Sequence, residues 1–362
     1  MKCNLRFFVF LPFSLIYNLI TYTRNLIYDK AILTSKRFSI PLISVGNLSV
    51  GGTGKTPHVE FILSILKREF SVGMLSRGYK RKTSGFILAD KNAMSCNIGD
   101  EPFQIFKKNQ DCVVAVDEKR VRAVAKLTEL FPELHAIVLD DAFQHRQLSV
   151  GLSVLLTCYN HLFSQDSHLP GGNLRESKKS YQRADILIIT KCPLNIDKYE
   201  MKRIEARVKP ASHQKLFFSG YVYDDIQPVF PDYGDEKLTL NQIKENKAGV
   251  LLVTGIVSPK PVLEKLKEYT IQIDYIFFPD HHNFNAKDIK LIEKKYNQII
   301  GKEKLIILTE KDAARMVDNS SLSNELKSKM YFLPIRVKIL DNKENELIKT
   351  ITDYVTKNSG NC

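Results

Sequence analysis

The six cysteines of this 362-residue chain form no Cys-x-x-Cys pair and no zinc-like spacing. Their scatter fits reduced thiols in a cytoplasmic protein better than a disulfide framework or a cysteine-based metal site. The sequence also has no evident internal repeat or low-complexity tract. The cysteines are Cys3, Cys96, Cys112, Cys158, Cys192 and Cys362.

The chain lacks an apolar run long enough for an ordinary membrane-spanning helix. Between Phe7 and Ile20, 11 of 14 residues are apolar, whereas a spanning helix needs about 20. No small-residue cleavage site follows this run, which argues against a secretory signal.

The same segment predicts an amphipathic helix with a narrow polar stripe and a broad apolar face. Because Arg24, Lys30 and Lys36 follow, such a helix is suited to a bilayer surface. A core helix packed on the rest of the protein is the alternative. We expect residues 1–35 to form a membrane-associated helix. The stripe contains Ser14, Asn18, Thr21 and Asn25, and the apolar face contains Leu11, Leu15, Leu19, Tyr22 and Leu26.

Composition places the chain among globular proteins and gives it a basic character. Hydrophobic residues make up 44% and charged residues 26%, which excludes disorder and a polytopic membrane protein. Lys and Arg total 53 against 40 Asp and Glu, a formal net charge of +13. This excess favours an anionic partner, which is a nucleic acid, an anionic bilayer or a phosphorylated substrate.

Short apolar runs alternate with amphipathic segments after residue 38. This alternation predicts parallel strands and a three-layer α/β/α domain, followed by a second α/β domain. We expect a kinase-type nucleotide domain over 36–215 and a second domain over 216–362. The polar stretch 224–248 is predicted to be a connection or an insertion. The predicted strands are 40–45, 71–76, 112–116, 135–139, 152–156, 185–190, 216–221, 250–254, 272–278, 304–309 and 331–335, and the predicted helices include 56–68, 118–130, 260–268, 286–300 and 342–356.

A glycine-rich loop follows the first of these strands and leads into a helix. Its glycines let successive backbone N–H groups converge on phosphate oxygens at a helix N-terminus. Lys55 is expected to reach the β- and γ-phosphates, and the Thr56 hydroxyl to bind Mg²⁺. Ser49 stands where the commonest pattern has glycine, and a purely structural turn is the alternative. The predicted nucleotide-binding residues are Ser49, Val50, Gly51, Gly52, Thr53, Gly54, Lys55, Thr56 and Gln144.

A second apolar strand ends in Asp140 and Asp141, as the metal-binding strand of a P-loop enzyme does. One acid is expected to hold Mg²⁺, directly or through water. A helix cap and a solvated acid are the alternative. The guanine-reading pattern Asn-Lys-x-Asp is not matched by 190–193 or by 309–312, so ATP is the expected nucleotide.

Several further segments make the chain resemble the tetraacyldisaccharide 4'-kinase family. The matching segments run in family order between residues 5 and 315. Two departures are Ala142, where the family usually has glycine, and the last 50 residues, which match no family motif. The segments are Gly46–Pro57, Leu75–Tyr79, Gly99–Pro102, Leu139–His145, Leu169–Glu176 and Phe278–His282.

The resemblance implies a reaction, a fold and a place in the cell. The reaction transfers the γ-phosphoryl group of ATP to the 4'-hydroxyl of a tetraacylated glucosamine disaccharide 1-phosphate, a step of lipid A biosynthesis. The fold is a P-loop NTPase-type α/β/α domain with a second α/β domain and a membrane-associated N-terminal helix. The place is the cytoplasmic face of the inner membrane of a Gram-negative bacterium.

The resemblance also implies roles for individual residues. Asp100 resembles the general base that accepts the proton of the sugar hydroxyl, and His281 its partner. Because these two residues fall in different predicted domains, we expect the domains to close over ATP. The implied catalytic residues are Asp100, His281 and Lys55; the metal site contains Thr56, Asp140, Asp141 and Glu176; the acceptor contacts are Arg77, Tyr79, Asn173 and Arg175.

Basic clusters at 80–82 and around Lys178 and Lys179 are expected to contact the anionic headgroup or the bilayer. Ordinary solvated surface is the alternative.

Other functions fit the loop alone. A nucleic-acid-associated ATPase would use the basic charge, and a nucleotide-dependent switch would use the Gly-Gly-x-Gly-Lys-Thr pattern without phosphotransfer. The partners expected are the anionic glycolipid and the membrane surface, with no nucleic acid and no stable protein partner.

Overall fold

The protein, described here from a computed structural model, has an α/β fold built on two separate sheets. The structure describes residues 5–233 and 237–359. Cys3 and Cys362 lie outside this range. Both sheets are mainly parallel, which confirms the α/β class predicted from the alternation of apolar runs and amphipathic segments.

The first sheet has nine strands and carries helices on both faces. Its central seven strands are parallel, and a short antiparallel strand closes each edge in the order β14-β8-β7-β6-β1-β5-β2-β4-β3. The strands are β1 Leu42–Asn47, β2 Val72–Ser76, β3 Ile87–Leu88, β4 Val113–Val116, β5 Ala136–Asp140, β6 Leu152–Cys158, β7 Ile186–Thr190, β8 Lys215–Tyr223 and β14 Ile335–Ile339.

Apolar residues at helical spacing attach the helices to this sheet. On one face, Val59, Ile62 and Leu63 of one helix and Leu347 and Ile351 of another share a single core. The opposite face is covered by two further helices. The helices around the first sheet are α2 Lys55–Leu66, α3 Ser95–Ile98, α4 Asp100–Lys108, α5 Arg120–Leu130, α6 Lys198–Val208 and α12 Glu344–Ser359.

The second sheet has five strands in the order β11-β10-β12-β13-β9, with only β9 antiparallel. Helices again cover both faces and bury their apolar sides against it. The strands are β9 Gln227–Pro228, β10 Gly249–Thr254, β11 Ile273–Phe277, β12 Lys304–Thr309 and β13 Met330–Leu333; the helices are α7 Leu240–Glu245, α8 Lys260–Lys267, α9 Ala286–Gln298, α10 Glu310–Met316 and α11 Asn324–Ser328.

The domain boundary predicted at 215 is wrong. Strand β8 pairs in parallel with β7, and β14 returns to pair with β8. The second sheet is therefore an insertion in the first, and the chain crosses between them twice. The predicted strand 331–335 is in fact parts of two strands in different sheets. Pro334 separates them, since proline has no N–H for a ladder hydrogen bond.

The N-terminal helix, α1 Leu5–Asp29, lies on the first sheet's subdomain with its polar stripe inward. Ser14, Thr21 and Asn25 are buried, while the apolar residues between them face outward. Within residues 5–233 and 237–359, no helix is both long enough and apolar enough to span a bilayer. The helix is amphipathic in the predicted sense, but its polar side is the one that packs on protein.

Candidate functional site

The glycine-rich loop lies at the carboxyl end of β1, in the middle of the first sheet. Gly51 and Gly54 have φ angles of 113° and 86°, a region that favours glycine. A side chain at position 54 would place its Cβ 2.0 Å from the Tyr221 hydroxyl oxygen. The loop is fastened at Thr53, whose hydroxyl accepts from Asn47 and whose carbonyl accepts from Thr190, both at 2.8 Å. These hydrogen bonds fix the loop at the buried Thr53, next to the exposed Gly51 and Gly52.

A cleft of about 1750 Å³ separates this loop from the second sheet. The predicted residues that line it are Val50, Gly51, Gly52, Thr53, Gly54, Lys55, Thr56, Arg77, Tyr79, Asp140, Asp141, Gln144, Arg175 and His281. The predicted residues that do not line it are Ser49, Asp100, Asn173 and Glu176. Asn173 is exposed, and its backbone N–H donates to Asp166.

The two acids after β5 differ in environment. Asp140 is buried and accepts a hydrogen bond from the Ser76 hydroxyl at 3.0 Å. Burial, together with the charges of Glu101 and Asp141, raises the pKa of Asp140 to about 7. Burial also opposes ionisation of Asp141, but Lys55 and Arg175 hold the pKa of that carboxyl below its ordinary value. Arg175 donates to both Asp141 oxygens, at 2.9 and 3.0 Å.

The donor set at this position fits Mg²⁺. Asp140 Oδ1 is buried and has no hydrogen-bond partner among the described residues, so an acceptor is left unsatisfied beside the loop. Mg²⁺ in phosphate sites commonly uses one or two carboxylates and completes its shell with phosphate oxygens and water. No cluster of three or more His, Cys, Asp or Glu suited to a metal occurs in 5–233 or 237–359.

Asp100 and His281 meet across the two sheets. Asp100 is the first residue of α4, and its side chain remains 19% exposed. His281, in the loop after β11, places Nδ1 3.3 Å from Asp100 Oδ2. His281 has a φ of 61°, an uncommon conformation for a non-glycine residue that is often found at functional sites. His282 instead stacks on Phe278 and contacts Asp288.

Glu176 does not lie where a metal ligand was predicted. Its carboxylate is fully buried beneath α1, where one oxygen accepts from Asn25 at 2.7 Å. The other oxygen accepts from Gln144 and Arg183, at 3.1 and 3.0 Å. Both carboxylate oxygens of Glu176 are therefore engaged. Through Asn25, Gln144 and Arg183 they connect α1 to the loops that follow β5 and precede β7. The metal role of Glu176 stays a prediction, since in this structure its carboxylate is bound by Asn25, Gln144 and Arg183.

The basic residues at 80–82 were predicted to contact the headgroup or the bilayer together, but they lie in different environments. Lys80 lines the cleft. Arg81 is instead a structural residue, because its guanidinium is buried, pairs with Glu118 and donates to the Gly85 carbonyl.

Several cleft residues were missed from the sequence. Arg120, at the start of α5, is buried and donates to the backbone carbonyl of Asp140 at 3.1 Å. Lys191 follows β7 and lies near Gly52, in a segment considered only for base recognition. Lys311, in the second segment considered only for base recognition, contacts His281 at 3.1 Å. For Arg120 the available signal was weak, since a basic residue in an amphipathic helix is normally solvent-facing.

Comparisons with known proteins agree over nearly the whole chain. A family model described as tetraacyldisaccharide-1-P 4'-kinase matches residues 6–355. A tetraacyldisaccharide 4'-kinase of Bacteroides thetaiotaomicron is 44% identical over 355 residues, 97% of this chain and 93% of the relative. One of Flavobacterium johnsoniae is 41% identical over 351 residues, 97% of each chain.

A solved structure has the same overall fold. The crystal structure of LpxK from Aquifex aeolicus in complex with ATP matches with a TM-score of 0.74 and 28% identity, over 96% of this chain and 99% of that one. The resemblance seen in the sequence motifs is confirmed, and this chain belongs to the tetraacyldisaccharide-1-P 4'-kinase family.

Proposed function

We propose that this family member transfers the γ-phosphoryl group of ATP to the 4'-hydroxyl of a tetraacylated glucosamine disaccharide 1-phosphate, with Asp100 as the base. The observation that carries the proposal is the shared cleft. The phosphate-binding loop and Asp140 occupy its first-sheet wall, and His281 reaches it from the second sheet beside Asp100.

The loop side would bind ATP. Backbone N–H groups around Gly52 would hold the phosphates, and Lys55 would neutralise charge as it develops on the transferred group. Thr56, Asp140 and Asp141 would hold Mg²⁺, which would screen the phosphate oxygens from one another. Asp141 is bound by Arg175 in this structure, so we expect Arg175 to release it when nucleotide and metal bind.

The opposite side would activate the acceptor. The sugar oxygen forms a bond to the γ-phosphorus, the bond between that phosphorus and the β–γ bridging oxygen breaks, and ADP leaves. Asp100 takes the hydroxyl proton. Phosphoryl transfer has a loose transition state, so an ionised carboxylate of modest basicity suffices if it is well placed.

The acceptor's own phosphate would bind a cationic region of the cleft. Burial lowers the pKa of His145 to about 4, and the nearby charges of Arg120, Arg24 and Arg77 act in the same direction. Three arginines with one neutral histidine form a suitable site for a phosphate group. Arg77 and Tyr79 would contact the acceptor there.

The outer face of α1 would rest on the membrane from which the lipid is drawn. Its apolar residues are exposed beside the mouth of the cleft, to which Tyr17, Thr21 and Arg24 contribute. We propose that the protein works at the cytoplasmic face of the inner membrane, held by this helix and by basic residues nearby.

The deciding experiment follows label from [γ-³²P]ATP into the disaccharide 1-phosphate lipid, with Mg²⁺ in detergent. We expect labelled lipid from the wild-type protein and almost none from Lys55→Ala, with Lys67→Ala as a control lysine outside the cleft. Retention of nucleotide without labelled lipid would favour a nucleotide switch, and DNA-stimulated ATP hydrolysis without labelled lipid would favour the nucleic-acid alternative.

A further inference from the structure

Arg315 lies directly behind the Asp100–His281 pair. It belongs to α10 of the second sheet, and its Nε donates to Asp100 Oδ2 at 2.7 Å. The same oxygen is the one that faces His281 Nδ1 at 3.3 Å. No described residue donates a hydrogen bond to the other oxygen, Asp100 Oδ1. The carboxylate is therefore held through one oxygen, with the second left for another partner.

Arg315 is itself held rigidly from the second sheet. Its side chain is only 2% exposed, and its NH1 donates to Asp312 Oδ1 at 3.1 Å. Asp312 is fully buried and also accepts from the Thr254 and Thr309 hydroxyls, at 2.7 and 2.6 Å. A buried guanidinium with fixed partners has few alternative rotamers, so it presents its Nε to Asp100 in one orientation.

Lys311, one turn earlier on the same helix, also contacts the histidine. Its ammonium lies 3.1 Å from His281 Nε2. Arg315 reaches the other ring nitrogen, because its NH2 lies 3.1 Å from His281 Nδ1. Arg315 therefore contacts both members of the Asp100–His281 pair. Asp280, 3.7 Å from His281, and Glu101, 3.2 Å from Lys311, complete the charged surroundings.

We infer that Arg315 is a positioning residue for the phosphoryl transfer, which with His281 holds Asp100 by one oxygen and directs Oδ1 to the acceptor hydroxyl. The inference rests on the proposed role of Asp100. Because Arg315 and Asp100 come from different sheets, the oriented carboxylate exists only while the sheets stand in this arrangement.

Charge supports the same role. Burial opposes ionisation of Asp100, but the hydrogen bond from His281 and the Arg315 guanidinium hold its pKa below the ordinary value. Removing Arg315 would raise that pKa. Since the base acts when ionised, the acid limb of the activity profile would then move to higher pH.

The test measures kcat against pH at saturating ATP, Mg²⁺ and glycolipid. For Arg315→Ala we expect kcat to fall by about 10- to 100-fold and the acid limb to move up by about one pH unit or more, with KM for ATP unchanged. Arg315→Lys keeps the positive charge but cannot hydrogen-bond to Asp100 and Asp312 at the same time. The acid limb of its pH profile should therefore stay near that of the wild type, while its kcat still falls about tenfold. Arg203→Ala, an exposed arginine of α6, is the matched control.

An acid limb that stays in place in folded Arg315→Ala would overturn the inference, as would a wild-type kcat in Arg315→Lys. If Arg315→Ala does not fold, the Arg315→Lys comparison still decides. A wild-type protein that does not label the lipid would contradict the proposed function instead, and an Asp100→Asn variant with normal kcat would contradict the base assignment.

Discussion

His58 lies directly behind the phosphate-binding loop and has no contact with solvent. Its ring bonds to the Gly54 carbonyl at 2.7 Å and to the Ser219 hydroxyl at 2.9 Å. A carbonyl only accepts, so Nδ1 carries the proton and Nε2 accepts from Ser219. Burial lowers the pKa of His58 to about 4, with the nearby Lys191 charge contributing in the same direction. The loop is thus supported by a neutral histidine.

This neutrality predicts a loss of stability in acid. An unfolded chain protonates His58 near its ordinary pKa of about 6.5, whereas the folded chain does not until about pH 4. The contribution of neutral His58 to the free energy of unfolding is therefore complete above pH 6.5, and it falls by about 1.4 kcal/mol per pH unit below that value. We expect urea unfolding between pH 7 and 4.5 to show this. The difference in free energy of unfolding between wild type and His58→Gln should shrink at that rate below pH 6.5. A constant difference between the two proteins would contradict it.

Asp100 supports the clearest kinetic prediction for a single residue. Asp100→Asn keeps the shape but cannot accept the proton, so kcat should fall by about 10²–10⁴-fold. KM for ATP should change little, because the nucleotide loop follows a different strand. Initial rates of lipid phosphorylation provide the measurement, and Asp232→Asn, an exposed aspartate, is the control. A kcat within a few-fold of wild type would require another base.

The cleft residues that were predictable from sequence are those whose neighbours are close in the chain. Lys55 and Thr56 follow their glycines directly, so local backbone geometry places them. The buried partners of Glu176 could not be predicted because they are distant in the chain, with Asn25 151 residues away. A carboxylate beside a glycine-rich segment has the same local sequence whether it binds metal or an arginine.

Among the elements, α1 is unusual because its polar stripe is the buried side. Leu15 and Leu19 are 61% and 64% exposed, while Ser14 accepts from the Gly171 N–H at 2.9 Å. An exposed apolar helix face of this kind normally marks an interaction surface. Sequence periodicity correctly predicted the two faces, but it could not show which face the protein covers, because that depends on polar groups in the 171–176 loop.

The double variant Leu15→Lys/Leu19→Lys should separate membrane binding from folding. Burying one leucine is worth about 1.5–3 kcal/mol, so losing two from a bilayer contact should weaken vesicle binding at least about a hundredfold. Sedimentation with vesicles containing phosphatidylglycerol measures this, and ATP binding should be unchanged. Leu130→Lys, an exposed leucine of α5, is the control. Undiminished sedimentation would show that α1 does not carry the membrane contact.

At the scale of the whole molecule, the end of the chain completes the nucleotide-binding part. Residues of α12 share a core with α2, the helix that begins at Lys55. The Tyr354 hydroxyl also donates to the Leu42 carbonyl at 3.2 Å, at the start of β1. Alternation of strands and helices predicted two sheets correctly. It could not predict this return, because nothing local distinguishes a strand that extends the second sheet from one that rejoins the first.

This connection predicts a stability effect far from the loop in sequence. Ile351→Ala empties a fully buried position of α12 and should lower the free energy of unfolding by about 2–5 kcal/mol. The affected transition should be the one that ATP shifts to higher urea, because ligand binding stabilises the unit that contains its site. Lys349→Ala, exposed on the same helix, is the control. If Ile351→Ala destabilised only an unfolding transition that ATP does not shift, that result would contradict a core shared by α12 and α2.

The return of β14 and α12 to the first sheet has a consequence for synthesis on the ribosome. The second sheet is translated between β8 and β14, so the nucleotide-binding sheet stays incomplete until the whole insertion has been made. Until then, α2 lacks the α12 side chains that share its core. A competent triphosphate pocket therefore cannot form before the inserted sheet has been translated.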